Sequence, residues 1–293
     1  MTVPHIETRQ LGAWRMHSIR SGGIRLDGGA MFGIIPKPLW EKKLPADDRN
    51  RIPMCMRSLV IEHDIGLIVI ETGVGNKESE KFYDIYGIDS RTPDGRTQLE
   101  AGLSTLGFPP EKVALVINTH LHFDHAGGNT YRDKDGEIRL SFPNARYVVQ
   151  RGEFEHAKDP TERDRASYFP DNFMPLEAAG KLSLIGDDRV IAPGVELIRT
   201  PGHNADMMCV RLHGGGKVAF LFDDLIPMTT HLSLPWIMGY DLYPLQTLEN
   251  KKKWIPQVVQ GEWLALFVHD PHVPAAYLRE REGKIEVEPA KVD

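Results

Sequence analysis

Cysteine is scarce: the 293 residues contain two, Cys55 and Cys209. Two thiols cannot build a disulfide scaffold, and the apolar neighbours of Cys209 mark it as a buried thiol. Positive charge is not in excess. Lys and Arg number 35 against 41 Asp and Glu, for a net charge of -6, which offers no electrostatic footprint for nucleic acid or an anionic membrane surface. Long apolar runs are missing as well. Stretches such as 218–222 are strand-sized and far short of the roughly 20 residues that span a bilayer. The N-terminal stretch 1–7 has neither the basic nor the apolar region of a secretory leader. These absences predict a cytoplasmic protein with no nucleic-acid or membrane partner. The 41% hydrophobic and 26% charged content is that of an ordinary globular chain.

Strand-like and helix-like segments alternate along the chain. Apolar runs at 59–63 and 65–71 flank His63-Asp64 and predict a hairpin. Residues 97–106 place Leu99, Leu103 and Leu106 at helical spacing, with Thr97 and Glu100 as a capping-box pair and Gly107 as the stop. Further strands are predicted at 113–117, 145–149, 195–199 and 263–268, and helices at 151–158 and 244–259. Segments 207–212 and 217–222 form a hairpin across Gly214-Gly215-Gly216. The interleaving gives an α/β (α+β) class. No linker divides the chain, so 1–293 is expected to be one domain. Residues 1–57 would be an N-terminal extension that lines the pocket or exposes Met31, Phe32, Trp40, Met54 and Met56 for a homodimer. Segments 131–142 and 159–179, rich in charge, Pro and Gly, read as insertions over the scaffold. Lys251-Lys252-Lys253 reads as a solvated helix face.

One stretch stands apart, 118–128, in which His120, His122, Asp124 and His125 follow the apolar run 113–117. A dense cluster of imidazoles and a carboxylate at the end of a buried strand is unfavourable unless something pairs with it. A divalent metal is the natural partner, since neutral imidazole and carboxylate are its ligands. Residues two apart in an extended chain point the same way, which groups His120 with His122, while Asp124 and His125 lie in the following turn. Gly127-Gly128 allows tight backbone passage beneath them. Later candidates also sit at strand ends: His203 in Thr-Pro-Gly-His, Asp223-Asp224 after 218–222, and His269 after 263–268. In layered α/β folds, strand ends on one side are where sites assemble.

This order of His-x-His-x-Asp-His, Pro-Gly-His, strand-terminal Asp and strand-terminal His resembles the metallo-β-lactamase superfamily over roughly residues 58 to 273. The resemblance implies an αββα sandwich with two divalent metals at one edge. His120, His122 and His203 would hold the first, Asp124, His125 and His269 the second, and one Asp would bridge. The family places Gly before that Asp, and here Asp223 fills the Gly position. Adjacent strand residues face opposite ways, so Asp224 is taken as the bridge. Zinc is the family default; nitrogen and oxygen ligands without Cys also suit Mn, Fe or Co. The implied chemistry is hydrolysis of an ester-like bond by a metal-bridged hydroxide, with Asp124 or Asp224 moving a proton to the leaving group.

Segments 27–40, 231–236 and 267–271 narrow the resemblance to quorum-quenching lactonases, which open N-acyl-homoserine lactones, near the methyl-parathion-hydrolase-like enzymes. Met31, Phe32, Trp40, His231, Trp236 and Met238 would line the substrate pocket. Lactonases of this branch carry Tyr three residues past the bridging Asp. Pro227 holds that place here, which leaves Tyr240 or Tyr243 as substitutes. The competing enzymatic readings are a glyoxalase-II-like thioesterase or an arylesterase/phosphotriesterase. A non-catalytic metal-binding scaffold is the reading from another class; lost ligands would be its mark, and none is missing.

Overall fold

Gly66–Ile70 and Val113–Ile117 are apolar on both faces because both faces are covered. In the computed structural model, which describes residues 5–292, two seven-stranded sheets stack face to face. The first four residues of the N-terminal stretch 1–7 lie outside the described residues. The first sheet runs, in spatial order, Ile6–Leu11, Trp14–Asp27, Arg51–His63, Gly66–Ile70, Val113–Ile117, Arg146–Gln150 and Leu182–Ile185. The second runs Arg189–Ala192, Val195–Arg199, Met208–Gly214, Lys217–Leu221, Leu264–Leu266, Ala275–Arg281 and Lys284–Pro289.

The two-residue period of a strand sorts side chains between layers. Ile68, Ile70, Leu115 and Ile117 point between the sheets and meet Leu197, Val210, Leu221 and Leu266 there. Leu67, Val69, Val113 and Val116 point outward under Leu99 and Leu103 of the helix Gln98–Thr105. On the far side, Ile198, Cys209, Phe220 and Ala265 pack beneath Trp254, Ile255 and Val258 of the helix Pro244–Gln260. The result is the αββα sandwich. The capping box of Thr97 and Glu100 is formed. Gly215 and Gly216, at φ 51 and 80, make the tight turn between Met208–Gly214 and Lys217–Leu221. Cys55 and Cys209 are buried free thiols. Among the described residues, no helix is long and apolar enough to cross a membrane.

Several expectations need correction. Residues 6–27 of the expected N-terminal extension are strands of the first sheet: Trp14–Asp27 pairs with Arg51–His63 from Arg15↔Glu62 to Asp27↔Arg51. Its Arg, Ser and Gly content hid the strand period. Met31, Phe32, Trp40, Met54 and Met56 are all buried within one apolar cluster of the same chain, so they do not form an exposed dimer face. Segment 159–179 sends Tyr168, Phe173 and Leu176 into the interior and closes over Leu121 and Ala126. Lys251 is buried, with Nζ donating to the carbonyls of Ser233, Leu234 and Trp236 at 2.7, 3.3 and 2.9 Å; only Lys252 and Lys253 face solvent.

Parallel pairing of Gly66–Ile70, Val113–Ile117 and Arg146–Gln150, and of Lys217–Leu221 with Leu264–Leu266, brings their C-terminal ends to shared edges. Beneath that edge the chain passes itself closely. A Cβ on Gly127 would lie 2.1 Å from the Val74 oxygen, and one on Gly128 2.2 Å from the Thr72 oxygen. Gly127→Ala is therefore expected to cost about 2 kcal/mol or more through backbone displacement, seen as a lowered midpoint in denaturant unfolding; an unchanged midpoint would contradict this packing.

Candidate metal centre

The strand Val113–Ile117 runs into Asn118, Thr119 and His120, and the short helical turn Phe123–Ala126 carries Asp124 and His125. Two buried carboxylates pin this backbone. Thr119 N–H donates to Glu71 Oε1 at 2.7 Å, and Leu121 N–H to Glu153 Oε1 at 2.8 Å. The His125 carbonyl accepts from Thr72 N at 2.7 Å and Thr72 Oγ1 at 3.0 Å. His203 comes from the loop after Val195–Arg199, Asp224 from the turn Asp223–Leu225, and His269 from the loop after Leu264–Leu266. All seven residues singled out in the sequence meet here.

They fall into two sets. His120, His122, His203 and Asp224 form one, and Asp124, His125 and His269 the other, with the ligating atoms of each set within 4.8 Å of one another. His122 Nδ1 lies 3.0 Å from His203 Nε2, and His125 Nε2 lies 3.1 Å from His269 Nε2. Asp124 Oδ2 is 3.7 Å from both His125 Nε2 and His269 Nε2. Asp224 stands between the sets: Oδ2 is 3.2 Å from His203 Nε2 and Oδ1 is 3.1 Å from His269 Nε2. Asp223 is buried as well, but on the Nδ1 side of His125 and not between the two sets. The two aspartates sit on a 3-10 turn, where alternation does not apply, and Asp223 Oδ1 lies 3.3 Å from His125 Nδ1.

The outward nitrogens fix which atoms face the centre. His269 Nδ1 donates to the Cys55 carbonyl at 2.8 Å, and His203 Nδ1 to Asp241 Oδ1 at 3.0 Å, with Asp241 Oδ2 accepting from Thr247 Oγ1 at 2.6 Å. A carbonyl or carboxylate can only accept, so Nδ1 carries a proton and, in the neutral ring, the Nε2 lone pair points inward. His120 Nδ1 is 3.0 Å from Thr119 Oγ1. Lone pairs facing one another at 3 Å repel unless a cation lies between them. His120 Nε2 and Asp224 Oδ1 are also buried without a hydrogen-bond partner, a loss that normal packing does not leave uncompensated. Divalent metal ions fit this donor set.

The charge state agrees. Burial, then the neighbouring imidazoles, push His120 and His122 well below the usual imidazole range, which keeps both rings neutral, the form that can bind a metal. Burial also opposes charge on His125, His203 and His269, yet surrounding carboxylates outweigh it: His125 is held well above the usual range, and His203 is raised to about 9 by Asp224 and Asp241. The acidic groups draw in positive charge, whether as protons or as metal.

The centre opens on a cavity of about 360 Å³, lined on the polar side by His122, Asp124, His203, Asp224 and His269. Leu26, Ala30, Met31, Met54, Phe123, Met238 and Leu242 supply apolar lining, and Tyr86, Tyr240, Arg163, Asp164 and Ser167 further polar groups. Met31 and Met238 are thus on the wall. Phe32, Trp40, His231 and Trp236 are not; they stand behind it. The Phe32 ring stacks on His231 at 4.9 Å and on Trp40 at 5.4 Å, Trp236 meets its edge at 5.5 Å, and His231 Nε2 donates to the Met31 carbonyl at 2.8 Å. An apolar residue's sequence does not say whether it forms a wall or its backing. Of the two substitute tyrosines, Tyr240 lines the cavity and Tyr243 does not. Sequence reasoning also missed Glu71, Glu153 and Asp241, single carboxylates whose only local mark is a position beside a strand or helix.

Comparison with known proteins agrees with this geometry. The model of the metallo-beta-lactamase superfamily matches residues 57–221. An N-acyl homoserine lactonase of Bacillus sp is 30% identical over 150 residues, 49% of this chain and 52% of that protein, so the match spans about half the length of that curated relative. A crystal structure of a probable metal-dependent hydrolase from Staphylococcus aureus is 30% identical, with a TM-score of 0.87 over 97% of this chain and 99% of the other. AidC, a dizinc quorum-quenching lactonase solved with N-hexanoyl-L-homoserine, shares the fold at 19% identity, with a TM-score of 0.81 over 100% of both chains. With the ligand order, the sandwich and the matched region in agreement, the chain belongs to the metallo-beta-lactamase superfamily.

Proposed function

We propose that this protein is a dinuclear metal-dependent hydrolase that opens the lactone ring of N-acyl-homoserine lactones. The observation that carries the reading is the pair of ligand sets joined through the two oxygens of Asp224, on the wall of a cavity whose other sides are rich in Met and Leu. The relatives named as lactonases support the choice of substrate, and the dizinc relative supports zinc over Mn, Fe or Co. His120, His122, His203 and Asp224 would hold one ion, and Asp124, His125, His269 and Asp224 the other. Bound there, the ions would acidify water and polarise the ester carbonyl.

The chain's own residues do the rest. Met31, Met54, Met238 and Leu26 take up the acyl chain, and unbranched Met side chains adapt to its shape. Burial raises the Tyr86 phenol and pushes Tyr240 up to about 12, so both stay protonated at neutral pH and donate to substrate carbonyl oxygens. Asp124 accepts the proton of the attacking water on a carboxylate oxygen and returns it to the ring oxygen as the acyl C–O bond breaks. The products balance as one N-acyl-homoserine: the acyl carbon gains OH and the ring oxygen gains H.

Wild-type protein of measured metal content is expected to open N-acyl-homoserine lactones in a chelator-sensitive way, with little action on a glutathione thioester. Full metal loading with turnover of aryl esters or phosphotriesters and none of lactones would reassign the substrate; loading with no turnover of any ester would favour a binding scaffold. Asp124→Asn preserves shape but not proton transfer, and is expected to lower kcat by about 10²-fold or more with an unchanged circular dichroism spectrum. A kcat within a few-fold of wild type would remove Asp124 from that role. Met238→Trp fills the cavity and is expected to raise KM for long-chain lactones on the order of tenfold, a loss of roughly 1.4 kcal/mol, while short-chain substrates change little. Equal effects across the series would place the acyl chain elsewhere.

A further inference from the structure

Asp223 occupies the position where the family resemblance expects Gly. Its φ of 49 puts it in the left-handed region that glycine favours, and it is 0% exposed. The conformation is unfavourable for a residue with a Cβ. Its Oδ1 accepts from Asp224 N–H at 3.0 Å and lies 3.3 Å from His125 Nδ1 and 3.7 Å from His120 Nδ1. Its Oδ2 is buried without a hydrogen-bond partner. Glu71, also in the left-handed region with φ 60, brings Oε2 within 3.2 Å of the same His125 Nδ1 from the other sheet. Around Asp223, its ion-pair neighbours are imidazoles, not lysine or arginine.

A buried carboxylate on a strained backbone, without a fixed cation, is unfavourable in isolation. The charge it lacks lies one imidazole away. We propose that Asp223 is a positioning residue for the metal centre: its carboxylate backs the Nδ1 sides of His125 and His120, turns their Nε2 atoms toward the cations, and adds negative charge that bound metal neutralises. The glycine usual at this position would relieve the backbone but supply neither effect. Asp223 therefore trades stability of the metal-free protein for tighter metal binding. This inference rests on the metal-centre reading above.

The test compares wild type, Asp223→Gly and Asp223→Asn in the full chain. Zinc affinity is measured by competition with a chromophoric chelator, and thermal midpoints are measured with and without zinc. Wild type is expected to bind two zinc ions. Asp223→Gly is expected to melt higher than wild type when metal-free, and to bind its weaker zinc 10-fold to 100-fold less tightly. Asp223→Asn keeps an acceptor oxygen but not the charge, and is expected to recover part of the affinity. If wild type binds two ions and Asp223→Gly binds them within twofold as tightly, the inference fails and the metal centre stands. A metal-free Asp223→Gly that melts lower than wild type also overturns it. Wild type that takes up no zinc overturns the metal centre and this inference together.

Discussion

The structure depends on keeping imidazole lone pairs aimed at one small volume, where the ion-pair partners of Asp124 and Asp224 among the described residues are imidazoles. His122 and His203 approach to 3.0 Å, and His125 and His269 to 3.1 Å. Such contacts persist only if each ring is held from behind. Asp241 holds His203, the Cys55 carbonyl holds His269, and Thr119 holds His120. These holders come from a loop, a strand and the motif itself, so the centre belongs to the whole sandwich and not to one segment. The parallel strand ends make this geometry available, because strands from both sheets terminate at the same edge.

The clustered His and Asp residues were legible in the sequence because their chemistry is improbable at strand ends without a metal and because four of them, His120, His122, Asp124 and His125, fall within six residues. Strands buried on both faces were legible for the same reason of density: Val113–Ile117 is wholly apolar. What escaped was whatever acts through tertiary placement. Trp14–Asp27 carries Arg, Ser and Gly among its apolar residues and shows no clean period, yet it pairs along nearly its whole length with Arg51–His63. Lys251 sits in a run of three lysines that looks solvated, but only its neighbours are. Burial lowers its ammonium to about 7, and three carbonyls of the loop 233–236 take up its N–H groups. Alternation gave Asp224 alone to the centre, but it did not show that the 3-10 turn would also bury Asp223, on the Nδ1 side of His125.

The same reasoning explains why the aromatic residues of segments 27–40 and 231–236 stand one layer back from the cavity. Phe32, Trp40 and Trp236 form a rigid stack, and His231 ties that stack to the Met31 carbonyl. Flexible methionines then face the cavity with stiff rings behind them. The wall adapts at its surface but not in its position, which suits a ligand of variable apolar shape attached to a fixed reacting group.

Wall and centre are also mechanically joined. Arg51–His63 places Met54 on the cavity wall and, at the next residue, gives Cys55 to His269 through two backbone contacts: Cys55 N–H donates to the His269 carbonyl at 3.0 Å, and its own carbonyl accepts from His269 Nδ1. Two residues further on, the buried Arg57 donates to the carbonyls of Phe267, Val268 and Asp270 and clamps the loop that carries His269. A strand is stiff along its length, so a displacement of Met54 that moved the backbone would be felt at His269 before it was felt at His120 or His122, whose supports come from other strands. Changes of the wall that spare the backbone alter only the shape of the cavity; changes that move this strand alter the second ligand set with it.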